Sequence, residues 1–170
     1  MRRLLLLRHA KTEAEHAAGD HARVLAPRGL KDAPAMAAAM KAKGYLPDFV
    51  LCSTAARTVQ TFELAAPLLG DPPVEFDDRL YLASWKSIVA LAREAKSTVK
   101  TLLVVGHNPG LEDCAQSLLT RDPGDQALRE SLEEKFPTGA LAVIDCPIKQ
   151  WRELKPASCT LADFLTPKTV

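Results

Sequence analysis

The sequence lacks a marked excess of charge of either sign. Its 170 residues include 22 lysines and arginines against 21 aspartates and glutamates, for a formal net charge of +1. Because binding to a nucleic-acid backbone normally needs a basic excess, this balance argues against a nucleic-acid partner. No apolar run approaches the roughly 20 residues of a membrane-spanning helix. We therefore expect neither a nucleic-acid nor a membrane partner.

Features of export, disulfide bonding and repetition are also missing. Arg2 and Arg3 precede only a short apolar run, which ends at Arg8, and no small-residue cleavage site follows it. The four cysteines form no Cys-x-x-Cys pair and no metal-ligand spacing, which is typical of buried thiols in a reducing compartment. We expect a cytoplasmic protein. Without repeats, low-complexity tracts or linkers, residues 1–170 are expected to form one domain.

What the sequence has at its start is a run of four leucines, residues 4–7, followed directly by Arg8 and His9. An unbroken apolar run predicts a strand that is buried on both faces of a sheet. A second run, residues 101–106, ends in the same way at His107. If the two strands are parallel, their carboxyl ends lie at one edge, where open α/β sheets bind ligands. Both histidines are then expected to face one pocket.

Apolar runs and helical patterns alternate along the chain, which predicts an α/β fold. The predicted strands are 4–7, 47–52, 74–76, 101–106, 140–146 and 150–154, with the last two paired as a hairpin. The predicted helices are 30–43, 55–69, 84–96, 111–119 and 127–135. Residues 11–26 have no clear periodicity and are interpreted as a polar active-site loop, with room for a short helix. The charged stretch 121–135, which includes Pro123 and Gly124, is interpreted as a surface excursion.

The second predicted strand leads into a candidate anion site. Ser53 or Thr54 is expected to cap the helix that follows, and Arg57 falls in its first turn. A cation is unfavourable at the amino end of a helix by itself. Beside a bound anion, however, it adds to the attraction of the exposed N–H groups.

These residues suit the transfer of a phosphoryl group. Its charge is spread over the equatorial oxygens in the transition state, so catalysis depends on positioning and electrostatic stabilisation. Arg8 and Arg57 supply forked, permanently charged donors for those oxygens. One histidine, while neutral, can attack phosphorus, and a second, while protonated, can donate a hydrogen bond to the oxygens.

Three motifs in this order resemble the histidine phosphatase superfamily. Arg8-His9-Ala10 stands where that family has Arg-His-Gly. Residues 53–61, Ser-Thr-Ala-Ala-Arg-Thr-Val-Gln-Thr, resemble its Ser-x-x-x-Arg-x-x-Gln-Thr segment, and residues 106–109, Gly-His-Asn-Pro, resemble its second-histidine motif. The short chain and the run Lys-Phe-Pro-Thr-Gly-Ala at 135–140 resemble the small SixA-type phosphohistidine phosphatases.

The resemblance implies a phosphoglycerate-mutase-like fold, a three-layer α/β/α sandwich around a mostly parallel sheet with one antiparallel strand. It implies that His9 is the phosphorylated nucleophile and that Arg8, Arg57 and His107 form the phosphate pocket. Ser53, Arg23 and Lys11 are further candidates for binding substrate. No metal and no cofactor are expected.

Two positions depart from the family pattern. Ala10 replaces a glycine, which reduces the conformational freedom of the backbone after His9. Larger phosphomonoesterases of the family carry a glutamate general acid, and the matching region here offers only Asp77 and Asp78, which are also typical turn residues. A site with a weak or missing acid favours phosphohistidine, because imidazole is a better leaving group than an alkoxide.

Ordinary structural roles compete with each of these assignments. His9 could be a surface or hydrogen-bonded structural residue, His107 a turn residue, and Arg57 a solvated helix charge. Lys11 and Arg23 could simply face solvent. His16, His21 and Asp20 could suggest a metal site, although the i, i+5 spacing of the histidines does not suit one helix face.

The sequence therefore predicts a phosphatase that works through a phosphohistidine intermediate, acting on phosphohistidine in a protein partner. The alternatives are a small-molecule phosphomonoesterase on the same scaffold and a module that binds phosphorylated partners without turnover. A short chain has few insertions with which to wall a deep pocket, which favours a protein-borne phosphate over a small molecule.

Overall fold

The computed structural model of the chain describes residues 1–121 and 126–170. One mixed sheet is formed by β1 (Arg2–Arg8), β2 (Phe49–Cys52), β3 (Val74–Phe76), β4 (Thr101–Gly106), β5 (Leu141–Cys146) and β6 (Thr160–Leu165). The α-helices within these residues are α1 (Pro27–Lys43), α2 (Ala56–Ala65), α3 (Trp85–Arg93), α4 (Gly110–Leu118) and α5 (Gln126–Glu134).

The strand order places the ends of the three motif-bearing strands side by side. The order is β3-β2-β4-β1-β5-β6, with β2 and β1 each parallel to the central β4. β5 is antiparallel to β1, and β6 is antiparallel to β5, so β6 again runs with β1. The predicted α/β fold with one antiparallel strand is confirmed. The carboxyl ends of β2, β4 and β1 are consecutive along one edge.

The leucine run is buried on both faces of the sheet, as its lack of alternation predicted. Leu4 and Leu6 pack with α3 and α4 on one side, and Leu5 and Leu7 pack with α1 and α2 on the other. All four are at most 2% exposed. Full burial of one such side chain contributes about 1.5–3 kcal/mol, so this strand anchors both helical layers.

The first and last residues of several helices are set by a proline, a glycine or a capping serine, and some differ from the predicted ends. α1 begins at Pro27, one turn before the predicted start, because proline at the first position needs no N–H partner. It ends before Gly44, whose φ of 78° is left-handed, as predicted. Ser84 caps α3 by accepting from the Ser87 N–H, also as predicted. α2 ends at Ala65 and continues as a 3-10 turn.

The predicted strand over 150–154 is wrong. Trp151–Glu153 is a 3-10 turn that buries the Trp151 ring completely, and its indole N–H donates to the Val99 carbonyl at 2.7 Å. Besides β1, the antiparallel partner of β5 is β6, in a segment for which no element was predicted.

The loop over residues 11–26 is ordered without an α-helix. A bridge pairs Thr12 with Leu25, and a 3-10 turn covers Asp20–Ala22. The predicted short helix near 127–135 is α5, whereas Pro123 and Gly124 lie outside the described residues. Within residues 1–121 and 126–170, no helix is long and apolar enough to cross a membrane.

Candidate active site

His9 and His107 come together at the shared edge of β1 and β4. Their ring centroids are 5.4 Å apart, although 98 positions separate them in the chain. Parallel pairing sets this proximity, since Arg8 is the register partner of Gly106 and the His9 N–H donates to the Gly106 carbonyl. Both rings are nearly buried, at 6% and 4% exposure. The structure thus brings the two histidines together at one edge of the sheet, as the sequence predicted.

The His9 ring is held in one tautomer. Its Nδ1 lies 2.8 Å from the Ala10 carbonyl, which can only accept, so Nδ1 carries the proton. Nε2 then bears the lone pair, and it has no hydrogen-bond partner among the described residues. Ala10 causes no strain here, because its φ is not positive and its N–H donates to Thr61 Oγ1 at 3.0 Å.

Burial keeps His9 neutral at neutral pH. Desolvation, assisted by the charges of Arg57 and Arg8, lowers the pKa of His9 to about 4. A neutral imidazole with a free Nε2 is the form that attacks phosphorus. The environment therefore keeps the His9 ring neutral, with its Nε2 lone pair available, without a neighbouring base.

His107 is held by Ser53. Its Nε2 lies 2.8 Å from Ser53 Oγ, and that oxygen also accepts from the Ala55 N–H at 3.4 Å. We assign the Ser53 hydroxyl proton to this bond and the ring proton to Nδ1, which is buried and has no partner in the described chain. Burial, followed by the charges of His9 and Arg57, lowers the pKa of His107 to about 3. His107 is thus neutral at neutral pH and offers one N–H, and its donation to a phosphoryl oxygen stays a prediction.

Arg8 is fixed by the segment between α5 and β5. Its Nη1 donates to the Phe136 carbonyl at 3.0 Å, and the same carbonyl accepts from Asn108 Nδ2 at 3.1 Å. The Gly139 N–H donates to the His9 carbonyl at 2.9 Å. The run at 135–140 therefore ties the first histidine motif to the second.

Arg57 is the most buried cation of the site, at 2% exposure. Its Nη1 donates to the Asp20 carbonyl at 2.8 Å, and its Nη2 pairs with the Asp20 carboxylate at 3.1 Å. A cation in the first turn of α2 opposes the helix dipole, and the Asp20 carboxylate offsets that cost. Neither Ser53 nor Thr54 caps this helix, contrary to expectation, because their hydroxyls bind His107 and His21.

The rest of the second motif has structural roles. Gln60 accepts from the Leu25 N–H at 2.8 Å and fastens the loop to α2. Thr58 donates to the Ser53 carbonyl, and Thr61 donates to the Arg57 carbonyl. Gln60 therefore holds the loop over residues 11–26, and Thr61, which accepts from the Ala10 N–H, holds the backbone after His9.

The remaining predicted binding residues have different surroundings. Ser53 is completely buried and can influence the pocket only through His107. Arg23 donates to Asp20 Oδ1 at 3.0 Å and to Thr12 Oγ1 at 2.9 Å, so it organises the loop. Lys11 is exposed, and its carbonyl accepts from the Ala26 N–H.

The two candidate acids do not contact either histidine. The Asp77 carboxylate pairs with Arg79 Nη2 at 2.7 Å and caps the 3-10 turn Asp78–Leu80. This turn leads to Tyr81, whose ring centroid lies 5.5 Å from that of His107. Tyr81 is not among the predicted site residues, because nothing in the motifs distinguishes it from an ordinary loop residue.

In the part of the chain that the structure describes, no set of side chains is arranged to bind a metal ion. Asp20 binds two arginines, and His21 Nε2 lies 3.0 Å from Thr54 Oγ1. No group of three or more histidine, cysteine, aspartate or glutamate side chains is placed to hold an ion in residues 1–121 and 126–170. All four cysteines are buried, and none forms a disulfide.

The comparison with known families agrees with this geometry. The model of the histidine phosphatase superfamily (branch 1) matches residues 4–98, which is more than half of the chain. An uncharacterized protein of Mycobacterium tuberculosis is 35% identical over 162 residues, covering 95% of this chain and all of that protein. The chain belongs to the histidine phosphatase superfamily.

Within the superfamily, the chain is similar to SixA-type proteins. A structure assigned as the phosphohistidine phosphatase SixA of Agrobacterium tumefaciens is 30% identical, with a TM-score of 0.80 and 98% of each chain covered. The corresponding protein of Nakamurella multipartita is 31% identical, with a TM-score of 0.82, 98% of this chain and 96% of that chain covered. Family and structures together support phosphatase activity on a phosphorylated substrate.

Proposed function

We propose that the protein removes phosphate from phosphohistidine in a partner protein, through a phosphohistidine intermediate on His9. The observation that carries this proposal is the state of the His9 ring. Its Nδ1–H is anchored on the Ala10 carbonyl, and its Nε2 is free beside His107 and two guanidinium groups. The similarity to SixA-type proteins supports the choice of substrate.

The reaction proceeds in two steps on this geometry. His9 Nε2 attacks phosphorus, the bond to the substrate leaving group breaks, and the phosphoryl group remains on His9. The Ala10 carbonyl then stabilises the phosphorylated ring through Nδ1–H. Water attacks the phosphoryl group in the second step, which returns His9 to its neutral form and releases phosphate.

Arg8, Arg57 and His107 stabilise the charge on the equatorial oxygens. The arginines are fixed by the Phe136 and Asp20 carbonyls, so they need no reorganisation during the reaction. A phosphoryl dianion beside His107 raises the pKa of this ring, because a nearby negative charge favours the protonated form. His107 thus donates a hydrogen bond to phosphate oxygen in either protonation state.

The pairing of Asp77 with Arg79 favours phosphohistidine over phosphate monoesters as the substrate. An alkoxide leaving group needs a proton from an acid, and Asp77 is committed to Arg79. A departing imidazole has a much lower demand for such a proton. The site is therefore suited to cleaving a P–N bond.

A substrate panel tests this proposal. A phosphohistidine peptide and a sugar phosphate are compared by kcat/KM, with and without a chelator and with vanadate as inhibitor. We expect a strong preference for the peptide, survival of activity in chelator, and inhibition by vanadate. Comparable kcat/KM for the two substrates would contradict the proposed specificity. Tight binding of the peptide without phosphate release would identify a binding module instead.

A further inference from the structure

The mouth of the site is formed by three residues that lie outside the predicted constellation. Asp20, His21 and Tyr81 are more exposed than the nearly buried His9, His107 and Arg57 behind them. The Tyr81 ring lies 5.5 Å from that of His107 and 4.7 Å from that of His21, measured between centroids. The three rings of His107, Tyr81 and His21 therefore form a row that runs from the buried histidines to solvent.

Asp20 is the carboxylate that joins this mouth to the phosphate donors. Its Oδ2 accepts from Arg57 Nη2 and from the Tyr81 hydroxyl, and its Oδ1 accepts from Arg23 Nε. These bonds, led by that from Tyr81, lower the pKa of Asp20, so the side chain is an anion at neutral pH.

This carboxylate has acceptor capacity left at its exposed side. An ionised carboxylate offers roughly four lone-pair positions, and the three bonds above occupy most of them. The Asp20 side chain is 49% exposed, so a group that enters from solvent has access to this carboxylate. A donor on the outer part of a substrate can reach it there.

The direction of the reaction places the leaving group at this mouth. In-line displacement puts the attacking and departing atoms on opposite sides of phosphorus. Because His9 attacks from the buried side, the leaving group points outward, past Tyr81 and Asp20. A phosphorylated imidazole has a second ring nitrogen on the side away from phosphorus, and this nitrogen carries a proton in the reactive form.

We propose that Asp20 and Tyr81 form a leaving-group subsite that selects phosphorylated imidazoles, with the Asp20 carboxylate accepting from the distal ring N–H of the substrate. This inference rests on the proposed function and names the part of the site that sets its specificity. The Tyr81 ring lies next to His107, and the Arg57 guanidinium lies over it at 5.8 Å, so this ring borders the path of the departing group.

The step balances in atoms and charge. The substrate ring begins as a cation with its distal N–H held by Asp20. The lone pair of His9 Nε2 forms the new P–N bond, and the electrons of the old P–N bond go to the substrate nitrogen. The substrate leaves as neutral imidazole that keeps its distal proton, and the positive charge moves to the phosphorylated His9 ring.

The same carboxylate gives no help to a phosphate ester. An ionised Asp20 has no proton to donate to an alkoxide, and an ester has no distal N–H for it to accept. Asp20 therefore discriminates between substrates, whereas Arg57, Arg8 and His107 bind the phosphoryl group that all of them share.

The test uses Asp20→Asn and three small substrates: phosphoimidazole, phosphoramidate, which has a P–N bond but no distal ring nitrogen, and para-nitrophenyl phosphate. We expect kcat/KM for phosphoimidazole to fall by about ten- to a hundredfold, as for loss of a charge-assisted hydrogen bond. The values for the other two substrates should fall much less, because the Asp20 carbonyl still holds Arg57, so the ratio of kcat/KM for phosphoimidazole to that for phosphoramidate should drop by about tenfold.

The matched control is Asp163→Asn. Asp163 also accepts from a tyrosine hydroxyl and a cation, Tyr45 at 2.6 Å and Lys43 at 3.0 Å, but it lies within β6. This variant should behave like the wild type on all three substrates. Tyr81→Phe, which keeps the ring and removes the hydroxyl, should retain most of the preference for phosphoimidazole, whereas Tyr81→Ala should lose it.

The pH profile adds an independent readout. Arg23, Arg57 and Tyr81 face the Asp20 carboxylate, and this carboxylate holds the distal proton on the substrate. We expect the alkaline limb of kcat/KM for phosphoimidazole to shift to lower pH in Asp20→Asn.

The outcomes separate the two proposals. If wild-type protein does not hydrolyse phosphoimidazole, the proposed function fails. If it does, but Asp20→Asn lowers kcat/KM for all three substrates in parallel, Asp20 only positions Arg57 and the leaving-group subsite is refuted. A parallel increase would show that Asp20 competes with phosphate, which refutes it as well.

Discussion

Under the proposed function, Arg57 is a single buried cation that is oriented in advance for an anionic substrate. Its side chain is almost completely enclosed, and two of its N–H groups bind Asp20 while its Nε has no partner among the described residues. Because the guanidinium is already desolvated and oriented, little free energy is spent on ordering it when a phosphoryl group arrives. The folding free energy of the protein offsets the free-energy cost of burying this charge.

Replacing Arg57 by alanine should therefore reduce kcat/KM on every phosphorylated substrate by about a hundredfold or more, as for loss of a preorganised oxyanion donor. Arg57→Lys should recover only part of this loss, because an ammonium group lacks the forked geometry. Steady-state kinetics on folded protein, verified by circular dichroism, measures both effects.

Arg3→Ala is the matched control for the loss of an arginine. Arg3 pairs with Asp145 at 2.8 Å, near the opposite end of β1 from the site. Its kcat/KM should remain within about twofold of the wild type, since this partly exposed ion pair lies away from the site. Equal losses in the Arg57 and Arg3 variants would show that the effect comes from altered folding.

Individual residues differ in how far the sequence could predict them. His9, Arg8 and His107 directly follow unbroken apolar runs, and the structure brings them together with Arg57; their catalytic roles stay predictions. Asp20 lies in a loop without periodicity, and its partners come from α2 and from the turn before α3, so only the tertiary fold reveals its contacts.

At the scale of elements, the close approach of α4 to the start of α3 fixes the second-histidine motif. Gly110, the first residue of α4, follows this motif directly. A Cβ at Gly110 would lie 2.0 Å from the Ala83 carbonyl oxygen and 3.2 Å from Ile88 Cδ1. Only glycine permits this packing, because the first neighbour is rigid backbone.

Gly110→Ala should accordingly lower the free energy of unfolding by about 1–3 kcal/mol through overpacking. Gly106→Ala serves as the control, since a Cβ there would make only ordinary contacts, at 3.7 Å, with the Leu111 side chain. Urea unfolding followed by circular dichroism compares the two. Equal midpoints for both variants would contradict the packing argument.

Strands with an unbroken apolar run and helices with a clear periodic pattern were predictable from the sequence. Strand β6 has neither feature and was not predicted. Its pattern is broken, since Leu161, Phe164 and Leu165 are buried while Asp163 is only partly covered and binds Tyr45. A register shift in β5 between Val143 and Ile144 accommodates this irregular pairing. The prediction for 150–154 failed because a buried tryptophan indicates burial equally well in a turn.

For the whole molecule, the two buried histidines link stability to pH. The pKa values of His9 and His107 are about 4 and about 3 in the folded chain, against about 6.5 when unfolded. Between about pH 6.5 and 4 the unfolded chain therefore binds more protons, so the free energy of unfolding falls as pH falls through this window.

We expect the urea midpoint of the wild type to be lower at pH 5 than at pH 7.5, and this difference to shrink in His107→Asn. His16→Asn is the control, because His16 lies exposed in the loop and should leave the wild-type difference unchanged. A pH-independent wild-type midpoint, or an unchanged difference in His107→Asn, would contradict the link.

The most direct measurement is the fate of the phosphoryl group on the enzyme. Protein is mixed with radiolabelled phosphoimidazole and quenched during turnover, and the label is tested for stability in acid and alkali and located by mass spectrometry. We expect an acid-labile, alkali-stable label on His9 that is missing from His9→Ala, which should have no turnover. An acid-stable label on Ser53, or phosphate release by His9→Ala at the wild-type rate, would contradict this expectation.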